Sequence, residues 1–104
     1  MDISEFGWKR KEQEVKEGDY WFDGRIVITR GVQAQLSCLE IYLIIADVMY
    51  YAHKQNGCDY IFSLINQERN LKLFFIDQVT RTALANGDHP EEHHYATLLL
   101  VEEY

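Results

Sequence analysis

The clearest hydrophobic pattern of the chain lies between residues 37 and 57. Ser37 and Glu40 have the spacing of a capping box, in which the hydroxyl accepts a backbone N–H of the first turn and the carboxylate reaches back to the cap. Apolar residues then recur at helical spacing from Leu39 to Ala52, and Asn56-Gly57 is a typical helix stop. This pattern predicts one long helix.

The predicted helix is apolar around most of its surface. Its polar residues recur every seven positions and form a narrow polar stripe, which consists of Gln33, Glu40, Asp47 and Lys54. A helix with so wide an apolar face usually packs against a sheet. Alternatively, the apolar face of the helix packs against a second copy of the protein.

Two runs rich in β-branched and aromatic residues flank Asp23-Gly24. Both central positions of a tight hairpin turn need positive φ, which Gly and Asp tolerate. The sequence therefore predicts a hairpin with strands at about residues 16–22 and 25–31.

The second half of the chain predicts three further strands. Residues 59–66 are rich in β-forming residues, with Tyr60, Phe62 and Leu64 on one face and Ile61, Ser63 and Ile65 on the other. Residues 71–76 form a second such run after the polar turn 67–70, which predicts a second hairpin. A short helical turn is expected at 80–85. Residues 95–103 have almost no polar alternation, which is typical of a central strand covered on both faces.

These elements together predict an α+β fold in which one long helix packs on an antiparallel sheet of four to five strands. The 104 residues suit a single domain spanning residues 1–104. Residues 1–13 are polar and mixed in charge, so they are expected to form a flexible tail or a short frayed helix.

The net charge of −7 is concentrated in two segments. Residues 12–24 carry −4 and residues 82–104 carry −5, whereas the remaining residues are close to neutral. Direct nucleic-acid binding is disfavoured because phosphate recognition needs a basic surface. The carboxylates of the two segments are the candidate interaction surface, namely Glu12, Glu14, Glu17, Asp19, Asp23, Asp88, Glu91, Glu92, Glu102 and Glu103.

Two groups of residues are candidates for catalytic or metal chemistry. His89, His93 and His94 are weak candidates for metal ligands, because their spacing does not match HExxH and a solvated loop explains them better. Cys38 falls in the first turn of the predicted helix, where a thiolate is favoured, but no histidine lies near it in sequence. We therefore expect no cofactor, no metal site and no enzymatic activity.

The N-terminus lacks the basic and apolar regions of a signal peptide, and no segment is long and apolar enough to span a bilayer. Cys38 and Cys58 are expected to be reduced thiols of a cytoplasmic protein.

Three segments resemble a family of Firmicute proteins, the domain-of-unknown-function family numbered nine hundred and sixty. They are Thr-Arg-Gly-Val at 29–32 with the helix that follows it, residues 59–64, and the closing Ala-Thr-Leu-Leu-Leu-Val-Glu-Glu-Tyr at 96–104. The resemblance covers about residues 27–104, while residues 77–94 and the first two dozen residues depart from it. It implies a small bacterial or phage protein of one domain and transfers no catalytic residue.

Three functions are compatible with these features. The favoured one is a binding protein that contacts a basic, nucleic-acid-handling protein such as a nuclease, in the manner of anti-restriction or anti-CRISPR inhibitors of mobile elements. The second is a housekeeping or structural protein that forms a homodimer through the apolar helix, with Tyr50 or Tyr51 at the contact. The third is a small enzyme that uses Cys38 or the loop of His93 and His94.

Overall fold

The computed structural model describes residues 2–87 and 91–104. Its strands are β1 (Trp8–Arg10), β2 (Arg25–Ile28), β3 (Ile61–Asn66), β4 (Leu71–Asp77) and β5 (Tyr95–Leu100), and they form one sheet in the order β1-β3-β4-β5-β2. Its α-helices are α1 (Arg30–Gln35), α2 (Cys38–Lys54) and α3 (Arg81–Ala85), and short 3-10 helices lie at Ile3–Phe6, Glu91–His93 and Val101–Glu103. The α+β class is confirmed, and of these helices only α2 is long.

The start and the end of α2 follow from local sequence. The Ser37 hydroxyl accepts the Glu40 N–H at 3.2 Å, and the Glu40 carboxylate accepts the Ser37 N–H at 3.2 Å, so the capping box is confirmed. Beyond Lys54, Asn56 and Gly57 adopt φ values of 57° and 101°. A right-handed helix cannot continue through residues with positive φ, so α2 ends there.

The sheet is mixed, so the prediction of a purely antiparallel sheet is wrong. Strand β2 runs parallel to β5, with Arg25 opposite Tyr95 and Ile28 opposite Leu98, whereas the other three pairings are antiparallel. The two parallel strands are far apart in sequence, as a parallel pair requires, and no short-range signal marks their pairing.

The predicted first hairpin is also wrong. Residues 16–22 form no strand and contribute one isolated bridge, between Tyr20 and Cys58. Positive φ occurs at Phe22 instead, at 54°, where the backbone N–H donates to the buried Asp77 carboxylate. Gly24 is needed for close packing, because a Cβ there would lie 2.5 Å from the His94 carbonyl oxygen.

The N-terminal segment is part of the folded domain, contrary to the expectation of a tail over residues 1–13. Strand β1 pairs with β3, and Trp8 is only 2% exposed. The Gln13 side chain then bonds the carbonyl oxygens of Asp59 and Ile61 and the Asp59 N–H. It therefore satisfies the edge of β3 beyond the end of β1.

One face of the sheet forms the core. Side chains that alternate along β3, β4 and β5 are buried together with the inner side of α2, and they include Phe62, Leu64, Leu73, Phe75, Leu98, Ile44 and Val48. The intervening side chains on the opposite face, such as Ile61, Phe74 and Thr97, stay partly exposed.

The described helices include none that is long and apolar enough to cross a membrane.

Two residues of the polar stripe, Glu40 and Asp47, point toward the rest of the domain, whereas Lys54 is exposed and Gln33 lies exposed in α1. Glu40 is buried and accepts bonds from the Trp8 indole at 2.8 Å and the Arg69 guanidinium at 2.6 Å. Burial raises the pKa of Glu40, but these bonds and the Ser37 N–H more than compensate, so the pKa lies below its usual value. Asp47 similarly binds Arg10 at 2.7 Å.

Replacing Glu40 by alanine is expected to lower the free energy of unfolding by about 3 kcal/mol, because the Arg69 charge and the Trp8 N–H lose their shared acceptor. Urea denaturation followed by circular dichroism measures this loss. The control is Glu14→Ala at an exposed site, which should change stability by less than about 0.5 kcal/mol. Equal losses in the two variants would contradict the role of Glu40.

Candidate interaction site

The sheet register divides the candidate acidic residues between two ends of the sheet. At one end β3 begins, β4 ends, and β2 and β5 begin. Residues 12–24 lie there, because Gln13 is bonded to Asp59 and Ile61 and the backbone of Gly18 packs against Cys58. We call this end, with its carboxylates Glu12, Glu14, Glu17, Asp19, Asp23, Asp59 and Glu92, the acidic end.

Two candidate residues belong to the opposite end. Glu102 and Glu103 follow β5, roughly 17 Å along the strand from its start. Glu103 is not a free charge, since its carboxylate accepts bonds from the Thr29 hydroxyl and from the N–H groups of Gly31 and Leu100. These bonds hold the pKa of Glu103 below its usual value. Asp88 and the Glu91 side chain lie outside the described part of the structure.

The two acidic segments meet at the acidic end through α3. The Asp19 carbonyl accepts the Arg81 N–H at 2.9 Å, and the Asp19 carboxylate accepts the Thr82 N–H at 2.6 Å. Asp23 binds the Arg81 guanidinium at 2.5 Å and lies 3.2 Å from His94 Nε2. Residues 19–23 are therefore fixed against both α3 and the start of β5.

The carboxylates of Asp19 and Asp23 are engaged in these internal contacts. The Thr82 bonds hold the pKa of Asp19 below its usual value. Burial raises the pKa of Asp23, but the bond and charge of Arg81 and the bond to His94 outweigh it, so the pKa is lowered. Arg81 also lies 3.7 Å above the Trp21 ring. Asp19 and Asp23 therefore stabilise the junction rather than act as free surface charges.

The free carboxylates of the acidic end are fewer than the sequence suggested. Glu14, Glu17 and Glu92 are exposed and take part in no ion pair among the described residues. Glu12 pairs with Lys16 at 3.2 Å, but both side chains are exposed, so this pair is weak. Next to Glu92 lies an open depression of about 480 Å³, which is lined by Asp23, Gly24, Arg25, Glu92 and His94.

Asp77 is a buried carboxylate that the sequence did not single out. Its two oxygens accept the N–H groups of Phe22 and Gln78, both at 2.9 Å. Burial raises the pKa of Asp77 despite these bonds. The side chain is 3% exposed, so its role is to hold the positive φ of Phe22 and the end of β4.

The two cysteines lie in different environments. Cys38 is exposed in the first turn of α2, as expected. Cys58 is buried, its thiol lies 3.3 Å from the Tyr20 carbonyl, and burial raises its pKa to about 12. Cys58 is therefore an inert thiol at neutral pH.

The candidate metal ligands are not brought together. His94 lies beside Asp23, and His93 lies beside Gln78, Val79 and Tyr95, while His89 is outside the described residues. Within residues 2–87 and 91–104, no three histidine, cysteine or acidic side chains gather in a way that could hold a metal ion.

Among the described residues, the outer side of α2 is an exposed apolar surface, where Tyr42 and Tyr50 are each 67% exposed. The outer face of the sheet is more polar, since Lys9 and Lys72 flank Ile65 in one row. The sequence predicts an apolar helix, but it does not predict that Glu40 and Asp47 face the rest of the domain instead of the solvent.

The Asp23–Arg81–His94 contacts predict an acid-sensitive junction. A carboxyl group with a lowered folded-state pKa adds stability above its unfolded pKa, and this stability is lost as the pH falls through the folded pKa. The free energy of unfolding of Asp23→Asn should therefore fall less steeply than that of the wild type between about pH 5 and pH 2. Urea denaturation at a series of pH values measures both slopes. Glu14→Gln should retain the wild-type slope, and an unchanged slope in Asp23→Asn would contradict the assignment.

Comparison of the chain with protein-family models, curated proteins and solved structures finds no match. The resemblance to the family numbered nine hundred and sixty therefore stays an expectation, and the function has to be argued from the geometry of the chain itself.

Proposed function

We propose that this chain is a non-enzymatic binding protein that holds a basic partner protein at the acidic end. The observation that carries this proposal is the junction at Asp19 and Asp23, which joins residues 12–24 to α3 and the start of β5. Because of this junction, the exposed carboxylates of Glu14, Glu17 and Glu92 stand at the same end of the sheet.

The physical basis of the binding is electrostatic. Exposed carboxylates at one end of a molecule with a net charge of −7 attract positively charged proteins and raise their association rate. The grooves of nucleases and other nucleic-acid-handling proteins are lined by Lys and Arg that normally contact phosphates. Exposed carboxylates can occupy such a groove in place of phosphates, which is the inhibitor function that we propose for this chain.

Two observations support a role without catalysis. The buried groups that could be reactive are engaged, since the Asp77 carboxylate accepts two backbone N–H groups and the Cys58 thiol is held in its protonated form. In the described residues, every buried side-chain nitrogen or oxygen has a hydrogen-bond partner.

Charge reversal at the acidic end tests the proposal. The partner is first captured from a lysate of the native host at low salt and identified by mass spectrometry, and its affinity for the purified chain is then measured by calorimetry. Glu14→Lys, Glu17→Lys and Glu92→Lys together should weaken binding on the order of 100-fold, and the wild-type affinity should fall steeply with added salt.

The matched control is Glu5→Lys, Glu68→Lys and Glu102→Lys, which changes the net charge equally at exposed sites outside the acidic end. Its affinity should fall by less than about 10-fold, since it changes only the long-range field. Equal losses in the two triple variants, or binding that is insensitive to salt, would refute the acidic end as the binding site.

Alkylation kinetics test the alternative of a cysteine enzyme. A catalytic thiolate reacts faster than an unfolded thiol. On the proposed non-enzymatic function, we therefore expect Cys38 to react with iodoacetamide no faster in the folded protein than in urea. Cys58 serves as the internal control and should react measurably only after unfolding. A Cys38 that is about 10-fold faster in the folded protein would favour the enzyme.

A further inference from the structure

The outer side of α2 carries a stripe of uncharged side chains along most of its length. From Cys38 to Met49 the outward-facing residues include no charged side chain, because Glu40 and Asp47 are bound to Trp8, Arg69 and Arg10. A surface helix normally turns its charged residues outward, so this helix has the reverse arrangement. We call the exposed residues Leu39, Tyr42, Ala46, Met49, Tyr50 and His53 the α2 stripe.

The spacing of the α2 stripe is that of a helix–helix contact. Positions 39, 42, 46, 49 and 53 follow alternating steps of three and four residues, the repeat by which two helices pack at a crossing angle of about 20°. The pattern therefore favours another helix over a sheet or a small molecule as the occupant of this face.

Apart from Met49, whose counterpart Leu43 is partly buried, the α2 stripe is also symmetric about Ala46. Leu39 and Tyr42 lie seven and four residues before Ala46, and Tyr50 and His53 lie four and seven residues after it. Tyr42 and Tyr50 have the same exposed fraction, 67%. A two-fold axis through Ala46 would place Tyr42 against the partner's Tyr50 and Leu39 against the partner's His53. A surface that is complementary to itself in this way fits a second copy of the chain.

The small side chain of Ala46 and the charge distribution both suit an antiparallel pair. Alanine at the crossing point lets two helix axes approach to about 8 Å, while the tyrosines on either side fill the space beside it. An antiparallel arrangement also keeps the exposed Lys54 ammonium groups of the two copies at opposite ends of the contact. A parallel arrangement would place them side by side.

The exposed area reaches only the lower limit for a specific dimer. The two tyrosines, with Leu39 at 45% and Met49 at 39% exposure, expose an area on the order of 500 Å² per copy. Stable interfaces bury roughly 800 Å² per partner, so we expect this smaller interface to give a weak, reversible dimer with a dissociation constant in about the micromolar range or above.

We propose that the chain forms an antiparallel homodimer through the α2 stripe, with the two-fold axis at Ala46. This inference stands independently of the proposed function, because none of the residues of the α2 stripe belongs to the acidic end.

Sedimentation velocity measures the oligomeric state of the full chain from about 1 to 500 μM, a range that brackets the expected dissociation constant. The wild type should pass from monomer to dimer within this range. Tyr42→Glu with Tyr50→Glu should raise the dissociation constant by at least about 100-fold. Val15→Glu with Tyr104→Glu places the same charges at exposed sites elsewhere and should leave it unchanged. Circular dichroism confirms that each variant is folded, and a wild type that stays monomeric throughout overturns the proposal.

Cysteine cross-linking tests the symmetry in a Cys38→Ser background, in which the remaining Cys58 is buried. Under mild oxidation, Ala46→Cys should form a covalent dimer with itself, because a disulfide needs Cα atoms within about 7 Å. Tyr42→Cys should cross-link with Tyr50→Cys in a mixture but not with itself. Efficient cross-linking of Tyr42→Cys alone would indicate a parallel contact and overturn the antiparallel dimer.

Discussion

The direction in which the polar residues of α2 point decides much of the remaining structure. Glu40 lies under the end of β1, where the Trp8 indole and the Arg69 guanidinium donate to one carboxylate, and Asp47 binds Arg10 two turns later. A carboxylate this buried is stable only when its donors are in place, because an unpaired buried charge costs several kcal/mol. The first strand, the turn after β3 and the helix are therefore fixed together by the same contacts. The same orientation leaves the α2 stripe facing water.

Features encoded by neighbouring residues could be predicted from the sequence, whereas those encoded by distant ones could not. The α2 cap depends on Ser37 and Glu40, three residues apart, and the second hairpin depends on the short turn between β3 and β4, so both were found. Trp8 and Arg10 contact residues 32 and 37 positions away, and nothing in the first 13 residues marks them as a strand. The parallel pairing of β2 with β5 is equally non-local. Asp23-Gly24 was misread because the positive φ lies at Phe22, whose N–H is bound by the distant Asp77, and because Gly24 packs against His94.

The structure changes which of the candidate carboxylates are free of internal contacts, for a related reason. Sequence gives the number of carboxylates along a segment but not the donors that fold against them. Asp19 and Asp23 are bound to α3 and His94, and Glu103 is bound to the turn before α1. The charges that remain available for a partner are therefore those that form no internal contact. The structural carboxylates Asp19 and Asp23 hold residues 19–23 against α3 and the start of β5, at one end of the sheet.

The two proposed surfaces are geometrically compatible. The acidic end lies beyond the C-terminal end of α2, where Trp21 contacts the His53 ring, whereas Arg69 and α1 lie near the N-terminal end. In an antiparallel dimer the two acidic ends would point in opposite directions, separated by about the 25 Å length of the 17-residue helix. Such a dimer can engage two basic partners, or two sites on one partner, and the second contact gains from the effective concentration set by the first. A weak dimer and a weak electrostatic contact can thus together give strong binding at a concentration that favours the dimer.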